Sequence, residues 1–185
     1  MPDRYTQVVV LCEDLRQFQF VRHYLIGRGV QSRRIRSQVS PAGRGSGEQY
    51  VREHYAQEVA ENRRRRTQLN IGLVTLVDAD TRTVKERLSE LSEQLQAARQ
   101  NPREREEPIA VLVPRRNVDT WIYYLRGNPV NESDDYKRHV EPRDVQPAAK
   151  RLVEQCPHSL PDAAPPALKA GCDELTALLK AQHRT

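Results

Sequence analysis

The sequence lacks the long apolar runs that would make it a membrane protein. No run among its 185 residues approaches the roughly 20 apolar residues that a membrane-spanning helix needs. The first residues also lack the apolar stretch of a secretory signal. We therefore expect a cytoplasmic protein without membrane contact, large enough for one domain and a tail.

Cysteine is scarce, and its spacing matches neither a disulfide framework nor a zinc-binding motif. The only cysteines are Cys12, Cys156 and Cys172, without C-x-x-C or H-x₃-H spacing. An odd, unpaired set argues against disulfides and favours a reducing compartment. The same spacing argues against a zinc site built from the last two cysteines with His158 and His183.

Lysine is also rare, although the chain is basic. Only five of its 30 basic residues are lysine, and the formal net charge is +5. Arginine is the better planar, bidentate partner for phosphate, so the bias fits an anionic polymer as ligand. A genome rich in arginine codons would produce the same bias, and the charge alone leaves both explanations open.

Short apolar runs alternate with amphipathic patterns and predict an α/β fold. The predicted strands are 6–11, 33–39, 73–77 and 109–113, and the predicted helices are 15–27, 48–66, 84–98 and 117–127. On the third helix we expect a buried face of Val84, Leu88, Leu91, Leu95 and Ala98. This order implies a mostly parallel four-stranded sheet flanked by helices.

The last third of the chain is polar and interrupted by proline. We assign residues 1–127 to the α/β domain and 128–185 to a polar linker with a C-terminal helical extension. Its helices are predicted near 148–155 and 167–182. The extension is expected to pack on the domain or on a partner.

The third strand ends abruptly in Asp78-Ala79-Asp80. Ligands of open α/β sheets bind at the carboxyl ends of the strands. Two carboxylates one residue apart there predict a seat for a hard cation such as Mg²⁺. Asp80 or Thr81 is equally suited to cap the following helix, so the motif alone leaves both interpretations open.

Other acids follow the neighbouring strands. Glu13 and Asp14 follow the first strand, where Asp14 suits the N-cap of the next helix and Glu13 does not. Asp119 follows the fourth strand. Because parallel connectivity brings strand ends to one edge, we expect Glu13, Asp78 and Asp80 to converge. They would repel one another unless a divalent cation neutralises them.

Two basic stretches are candidates for phosphate binding. A glycine-rich segment at 40–49 precedes a helix N-terminus that attracts anions, although it matches no nucleotide fingerprint and a flexible connection explains it equally well. The arginines at 63–66 end that helix, where cations complement its dipole, but four together exceed this need. The candidate residues are Arg44, Gly45, Arg63, Arg64, Arg65 and Arg66.

Three segments, LCEDLRQFQFVRHYL, LVDADTR and PRRNVDTWIYYL, resemble the Toprim domain of topoisomerases, primases and OLD-type nucleases. The resemblance covers about residues 6–126, the size of one compact domain, and is to small stand-alone Toprim-like proteins. It implies that Asp78 and Asp80 bind Mg²⁺ or Mn²⁺. It also implies that Glu13 is a ligand or general base, with Asp119 as a fourth acid.

The activity implied by this resemblance is hydrolysis of phosphodiester bonds in nucleic acid, DNA in preference to RNA. Arg82, Arg115 and Arg116, which follow the third and fourth strands, are assigned to phosphate binding. Small stand-alone Toprim-like proteins accompany an ATPase in phage-defence or DNA-maintenance loci, so an ATPase partner is expected, and a homodimer is left open. The alternative is a non-catalytic subunit that only binds nucleic acid or the ATPase.

Overall fold

The computed structural model describes residues 5–156, 158 and 160–181 and contains one four-stranded sheet. The strands are β1 Gln7–Cys12, β2 Ile35–Val39, β3 Ile71–Leu76 and β4 Ile109–Leu112. All neighbours are parallel, and the order across the sheet is β2-β1-β3-β4. The predicted α/β fold with a parallel sheet flanked by helices is confirmed, and β2 lies at an edge.

Helices cover both faces of this sheet. They are α1 Leu15–Gly27, α2 Gly47–Arg65, α3 Val84–Ala97, α4 Val118–Leu125, α5 Pro142–Gln155 and α6 Pro166–Ala181. One core cluster joins the sheet to α1, α4, α5 and α6, and a second joins the opposite face to α2 and α3. Trp121 is 1% exposed within the first cluster, as expected of a core anchor. Among the described residues, no helix is long and apolar enough to cross a membrane.

The strand register sets the position of the segments that follow the strands. Cys12 pairs with Leu76, and Leu76 pairs with Leu112, so β1, β3 and β4 end at the same level. We call this edge of the sheet, with the segments that leave it, the carboxyl rim. The residues that directly follow these three strands therefore lie close together at the carboxyl rim.

The C-terminal extension packs on the α/β domain. Helix α5 lies against α1 and α4, and α6 lies against β4. Helix α5 begins at Pro142 rather than near residue 148. The prediction was wrong because Pro147 suggested a break. In fact Pro142 occupies the first turn, and Glu141 before it and Asp144 after it form a capping box.

The chain forms a disulfide, contrary to the prediction. Cys156, at the end of α5, and Cys172, in α6, form a disulfide with their Cα atoms 5.5 Å apart. Sequence spacing gave no indication of this pair because the packing of two helices brings it together. The unpaired-cysteine argument for a reducing compartment therefore fails, and Cys12 is a buried free cysteine. Of the cysteines and histidines considered as a zinc site, His183 lies outside the described residues.

The predicted apolar face of α3 is corrected at two positions, Leu88 and Ala98. Leu88 is 40% exposed, whereas Arg87 is 3% exposed and lies between the buried turn at Leu91 and the start of the helix. Ala98 is exposed as well. The helix thus turns Arg87 toward the sheet, where its guanidinium group contacts the backbone of Asp78 at the carboxyl rim.

Candidate active site

Glu13 is the first residue after β1 and is half-buried at the carboxyl rim. Buried Gln17 holds it twice: Gln17 Nε2 donates to Glu13 Oε2 at 3.0 Å, and Glu13 N–H donates to Gln17 Oε1 at 2.9 Å. Asp14 caps α1 as predicted, accepting from Gln17 N–H at 2.9 Å. The start of α1 therefore fixes the Glu13 carboxylate. The role of Gln17 could not be predicted from the sequence, since a glutamine on a helix carries no signal of its own.

Asp78 lies beside Glu13. Its N–H donates to Glu13 Oε2 at 2.5 Å, and its Oδ1 accepts from Val118 N–H, at the start of α4, at 3.1 Å. Both hydrogen bonds that Glu13 accepts from described residues fall on Oε2. Its Oε1 is thus left for a ligand, at an edge where two acids meet.

Burial and mutual repulsion disfavour the charged forms of these acids. Burial raises the pKa of Asp78 well above its usual value, and the charges of Glu13, Asp14 and Asp119 raise it further. Burial also raises the pKa of Glu13, although hydrogen bonds from Asp78 N–H and Gln17 oppose the shift. Adjacent carboxyls with raised pKa values are typical of sites that bind a cation or transfer a proton.

Asp80 does not join this pair. Its backbone has a φ of 54°, its side chain is 70% exposed, and its Oδ1 lies 3.9 Å from Arg116 Nη1. Helix α3 is capped by Thr83, with Glu86 completing a capping box, so the interpretation of Asp80 or Thr81 as the cap is wrong. The expected convergence is thus limited to two acids, with Asp80 at the exposed side of the rim.

Asp119 lies at the rim but has a different partner. It is 3% exposed and forms an ion pair with Arg16 of α1. Burial raises the pKa of Asp119, while Arg16 and Lys137 lower it. Its charge acts on Asp78, so it belongs to the electrostatic surroundings of the acid pair.

Arg87 organises the backbone behind the acid pair. Its Nε donates to the Asp78 carbonyl oxygen at 3.1 Å. Its Nη1 bonds the carboxylates of Glu48 in α2 and Glu90 in α3 at 2.8 and 2.6 Å. Sequence analysis missed this residue because a charged side chain on a polar helix suggests solvent, although its spacing of four from Leu91 places it on the buried face.

The glycine-rich segment also reaches the carboxyl rim. Helix α2 starts so close to Glu13 that a Cβ on Gly47 would lie 2.6 Å from Glu13 Cβ and 2.9 Å from Glu13 O. Ser46 caps the helix, and Arg44 and Gly45 lie in the exposed turn before it. The first predicted phosphate-binding segment therefore borders the acid pair.

Three other predicted phosphate ligands lie on loops of this rim. Arg82 follows β3 and pairs with Glu90 at 2.7 Å. Arg115 donates to the Arg82 carbonyl, which ties the loop after β4 to the loop after β3. Arg116 has a φ of 73° and lies 3.9 Å from both Asp80 and Asp135. These arginines border the exposed side of the site.

The four arginines at 63–66 lie at the end of the sheet where the strands begin, opposite the carboxyl rim. Arg65 donates to Gln7, at the start of β1, at 3.0 Å. Arg63 and Arg66 both bind Glu107 at 2.8 Å. The structure therefore does not bring this stretch to the acid pair, and two of its members already have a buried carboxylate as partner.

The donor set suits a hard cation, since the acids offer only oxygen. Within the described ranges, no group of three or more acid, histidine or cysteine side chains is arranged to hold a metal ion. Glu13 and Asp78 thus supply two carboxylates rather than an enclosed protein cage. No family model, curated protein or solved structure matches this chain.

Proposed function

We propose that the protein is a metal-dependent nuclease of the Toprim type, which hydrolyses phosphodiester bonds at the Glu13–Asp78 pair. The observation that carries the proposal is the hydrogen bond from Asp78 N–H to Glu13 Oε2, which joins residues 65 positions apart. It lies at the edge where parallel sheets bind their ligands. Two half-buried acids side by side disfavour their own ionisation, which supports a role in binding or chemistry over a role in stability.

Mg²⁺ or Mn²⁺ is the cofactor that this donor set fits. Mg²⁺ usually keeps several waters and binds through one or two carboxylates together with substrate phosphates, so a pair of acids suffices. Glu13 and Asp78 would hold the ion, whereas Asp80, which the family resemblance also names as a ligand, lies at the exposed side of the rim. When bound, the ion supplies charge stabilisation on the phosphate and lowers the pKa of a water molecule.

The chain's own residues supply the remaining parts of the reaction. The alternative role of Glu13 is that of a general base, because its raised pKa lies closer to the working pH and Gln17 keeps its carboxylate in place. Arg82, Arg115 and Arg116 border the site, where guanidinium groups can bind phosphate oxygens in a bidentate manner. Nucleic acid is therefore the proposed substrate.

A cleavage assay with isosteric variants tests the proposal. Purified protein is incubated with plasmid DNA, single-stranded DNA and structured RNA, in Mg²⁺, Mn²⁺ or EDTA. Glu13→Gln and Asp78→Asn are compared with Asp162→Asn, a matched removal of an exposed acid between α5 and α6. We expect metal-dependent cleavage that both rim variants lose and the control keeps. Cleavage in EDTA, or cleavage that survives Asp78→Asn, would contradict it.

The alternative is a non-catalytic subunit of the same fold. The partners of two acids at the rim favour it. The Asp78 carboxylate accepts a hydrogen bond from Val118 N–H at the start of α4, and Asp119 forms an ion pair with Arg16. Asp78 and Asp119 therefore also have structural partners. This alternative predicts nucleic-acid or ATPase binding without cleavage under any metal. The ATPase partner stays a prediction from the family resemblance.

A further inference from the structure

Three aromatic rings cluster beside the carboxyl rim. Tyr123 of α4 stacks on Tyr136 with ring centroids 5.0 Å apart and planes at 21°, and the His139 ring lies 5.4 Å from Tyr123. We call Tyr123, Tyr136 and His139 the aromatic platform. Tyr136 is anchored by its hydroxyl, which accepts from Asn131 N–H at 2.9 Å.

The platform lies at the margin of the core, against which Tyr123 packs. Tyr123 and Tyr136 are half-buried and His139 is exposed, whereas α4 buries Trp121 and Ile122 on its other side. Stacked rings held at a surface offer a flat apolar face. Such faces bind nucleobases with little regard to sequence, because every base has a π-face.

Two cations lie beside the platform, although the segment that carries them also contains five acids. The acids of segment 131–144 are engaged in hydrogen bonds to backbone or side chains: they are Glu132, Asp134, Asp135, Glu141 and Asp144. In contrast, Lys137 and Arg138, which stand between the two platform residues of this segment, form no ion pair within the part of the chain that the structure describes. Arg138 can therefore bind a phosphate beside the rings, and Lys137, whose charge also acts on Asp119 and Asp135, lies next to it.

Hydrogen bonds tie the platform to the acid pair. Asp135 accepts from Asn117 Nδ2 at 3.0 Å and from Lys137 N–H at 2.9 Å. The residue after Asn117 is Val118, which donates to Asp78. Tyr123 lies five residues farther along α4, about 7.5 Å at 1.5 Å per residue. That length corresponds to about two nucleotides of a stacked strand.

We propose that the aromatic platform, with Lys137 and Arg138, binds the bases and phosphates of single-stranded nucleic acid that leads into the Glu13–Asp78 site. The proposal rests on the proposed nuclease function for the meaning of that site. The ligand class is a single strand, because the faces of a base in a duplex are already stacked on the neighbouring base pairs and cannot stack on a protein ring. Both DNA and RNA offer this chemistry, and the experiment compares them.

The test is fluorescence anisotropy with labelled single-stranded DNA and RNA oligonucleotides in EDTA, where metal-dependent cleavage cannot interfere. Tyr136→Leu removes a ring and is expected to weaken binding about 5- to 100-fold. Tyr136→Phe keeps the ring and loses only the hydroxyl, so its affinity should stay within about twofold of the wild type. Tyr50→Leu is the matched control, because Tyr50 stacks on His54 in α2 on the opposite face of the sheet.

His139→Ala provides a second variant that removes an exposed ring, for the case that Tyr136→Leu lowers the melting temperature. The proposal would be overturned if Tyr136→Leu bound the oligonucleotides as tightly as the wild type. It would also be overturned if Tyr136→Phe or Tyr50→Leu lost as much affinity as Tyr136→Leu, or if the wild type bound neither oligonucleotide. Preference for DNA or for RNA identifies the substrate and supports the platform in either case. Because binding is measured without metal, loss of the platform and loss of cleavage are separate results.

Discussion

Asp78 accepts a hydrogen bond from α4 and donates one to Glu13, yet its carboxyl group is held in an environment that disfavours its charge. A raised pKa in the folded state means that the folded protein binds this proton more tightly than the unfolded chain. The resulting stability is present below the unfolded pKa of about 4 and is lost as the pH rises through the raised pKa.

This sign predicts the behaviour of Asp78→Asn without metal. Asparagine keeps an oxygen for Val118 N–H and removes the titration, so the variant should gain stability relative to the wild type as the pH rises. Urea unfolding in EDTA at about pH 5 and about pH 8 measures the difference. A gap between the two proteins that does not change with pH would contradict the assigned electrostatics.

At the scale of elements, α2 starts against Glu13 without room for a side chain on Gly47. We expect Gly47→Ala to cost about 1–3 kcal/mol of unfolding free energy and to displace Glu13. A displacement of about 1 Å lowers activity about 100-fold. Gly27→Ala is the matched control, because its Cβ would lie 2.7 Å from Val153 Cγ2, away from the rim.

Chemical denaturation and the cleavage assay together check this prediction. Both variants should be destabilised, but only Gly47→Ala should lose cleavage. If Gly27→Ala lost as much cleavage activity as Gly47→Ala for the same loss of unfolding free energy, the effect would come from lower stability and not from the position of Glu13.

The disulfide joins α5 to α6 across 16 positions of the chain. A closed loop of that length stabilises a protein by about 3 kcal/mol through the unfolded state. For a chain of this size we expect reduction to lower the melting temperature by about 6–12 °C. The Cys156→Ser/Cys172→Ser variant should melt like the reduced wild type and should not respond to reductant. An unchanged melting temperature on reduction would contradict a structural role for this bond.

Periodicity predicted the elements well, because buried strands and amphipathic helices leave regular apolar patterns. The carboxyl ends of β1, β3 and β4 follow from parallel connectivity, so Glu13 and Asp78 could be placed together from the sequence. The contacts that hold them could not, since Gln17 and Arg87 bind through side-chain geometry that no pattern encodes. The same limit applies to Asp80, whose positive φ turns it toward solvent, and to the disulfide, which depends on how two helices pack.

At the scale of the molecule, the arginines divide between the two edges of the sheet. Arg63 is 19% exposed and binds the buried Glu107, whereas Arg64 is 71% exposed and pairs with Glu61. We expect Arg63→Ala to cost about 1.5–3 kcal/mol of unfolding free energy, because a buried carboxylate loses a charged partner. Arg64→Ala should leave the stability nearly unchanged, because its ion pair is exposed to solvent. Unfolding by urea measures both.

The same variants test the predicted phosphate-binding role of residues 63–66. Since these residues lie opposite the acid pair, we expect Arg64→Ala to leave nucleic-acid affinity unchanged. A weaker affinity, with a salt dependence reduced by about one phosphate contact, would instead show that the stretch binds the backbone of a nucleic acid.

The most direct test of the Glu13–Asp78 pair as a cation site is calorimetric titration of Mn²⁺ into EDTA-treated, dialysed protein. We predict one saturable site in the wild type that is lost in Asp78→Asn and in Glu13→Gln and kept in Asp162→Asn. Equal binding in all four proteins, or no binding in the wild type, would contradict the account.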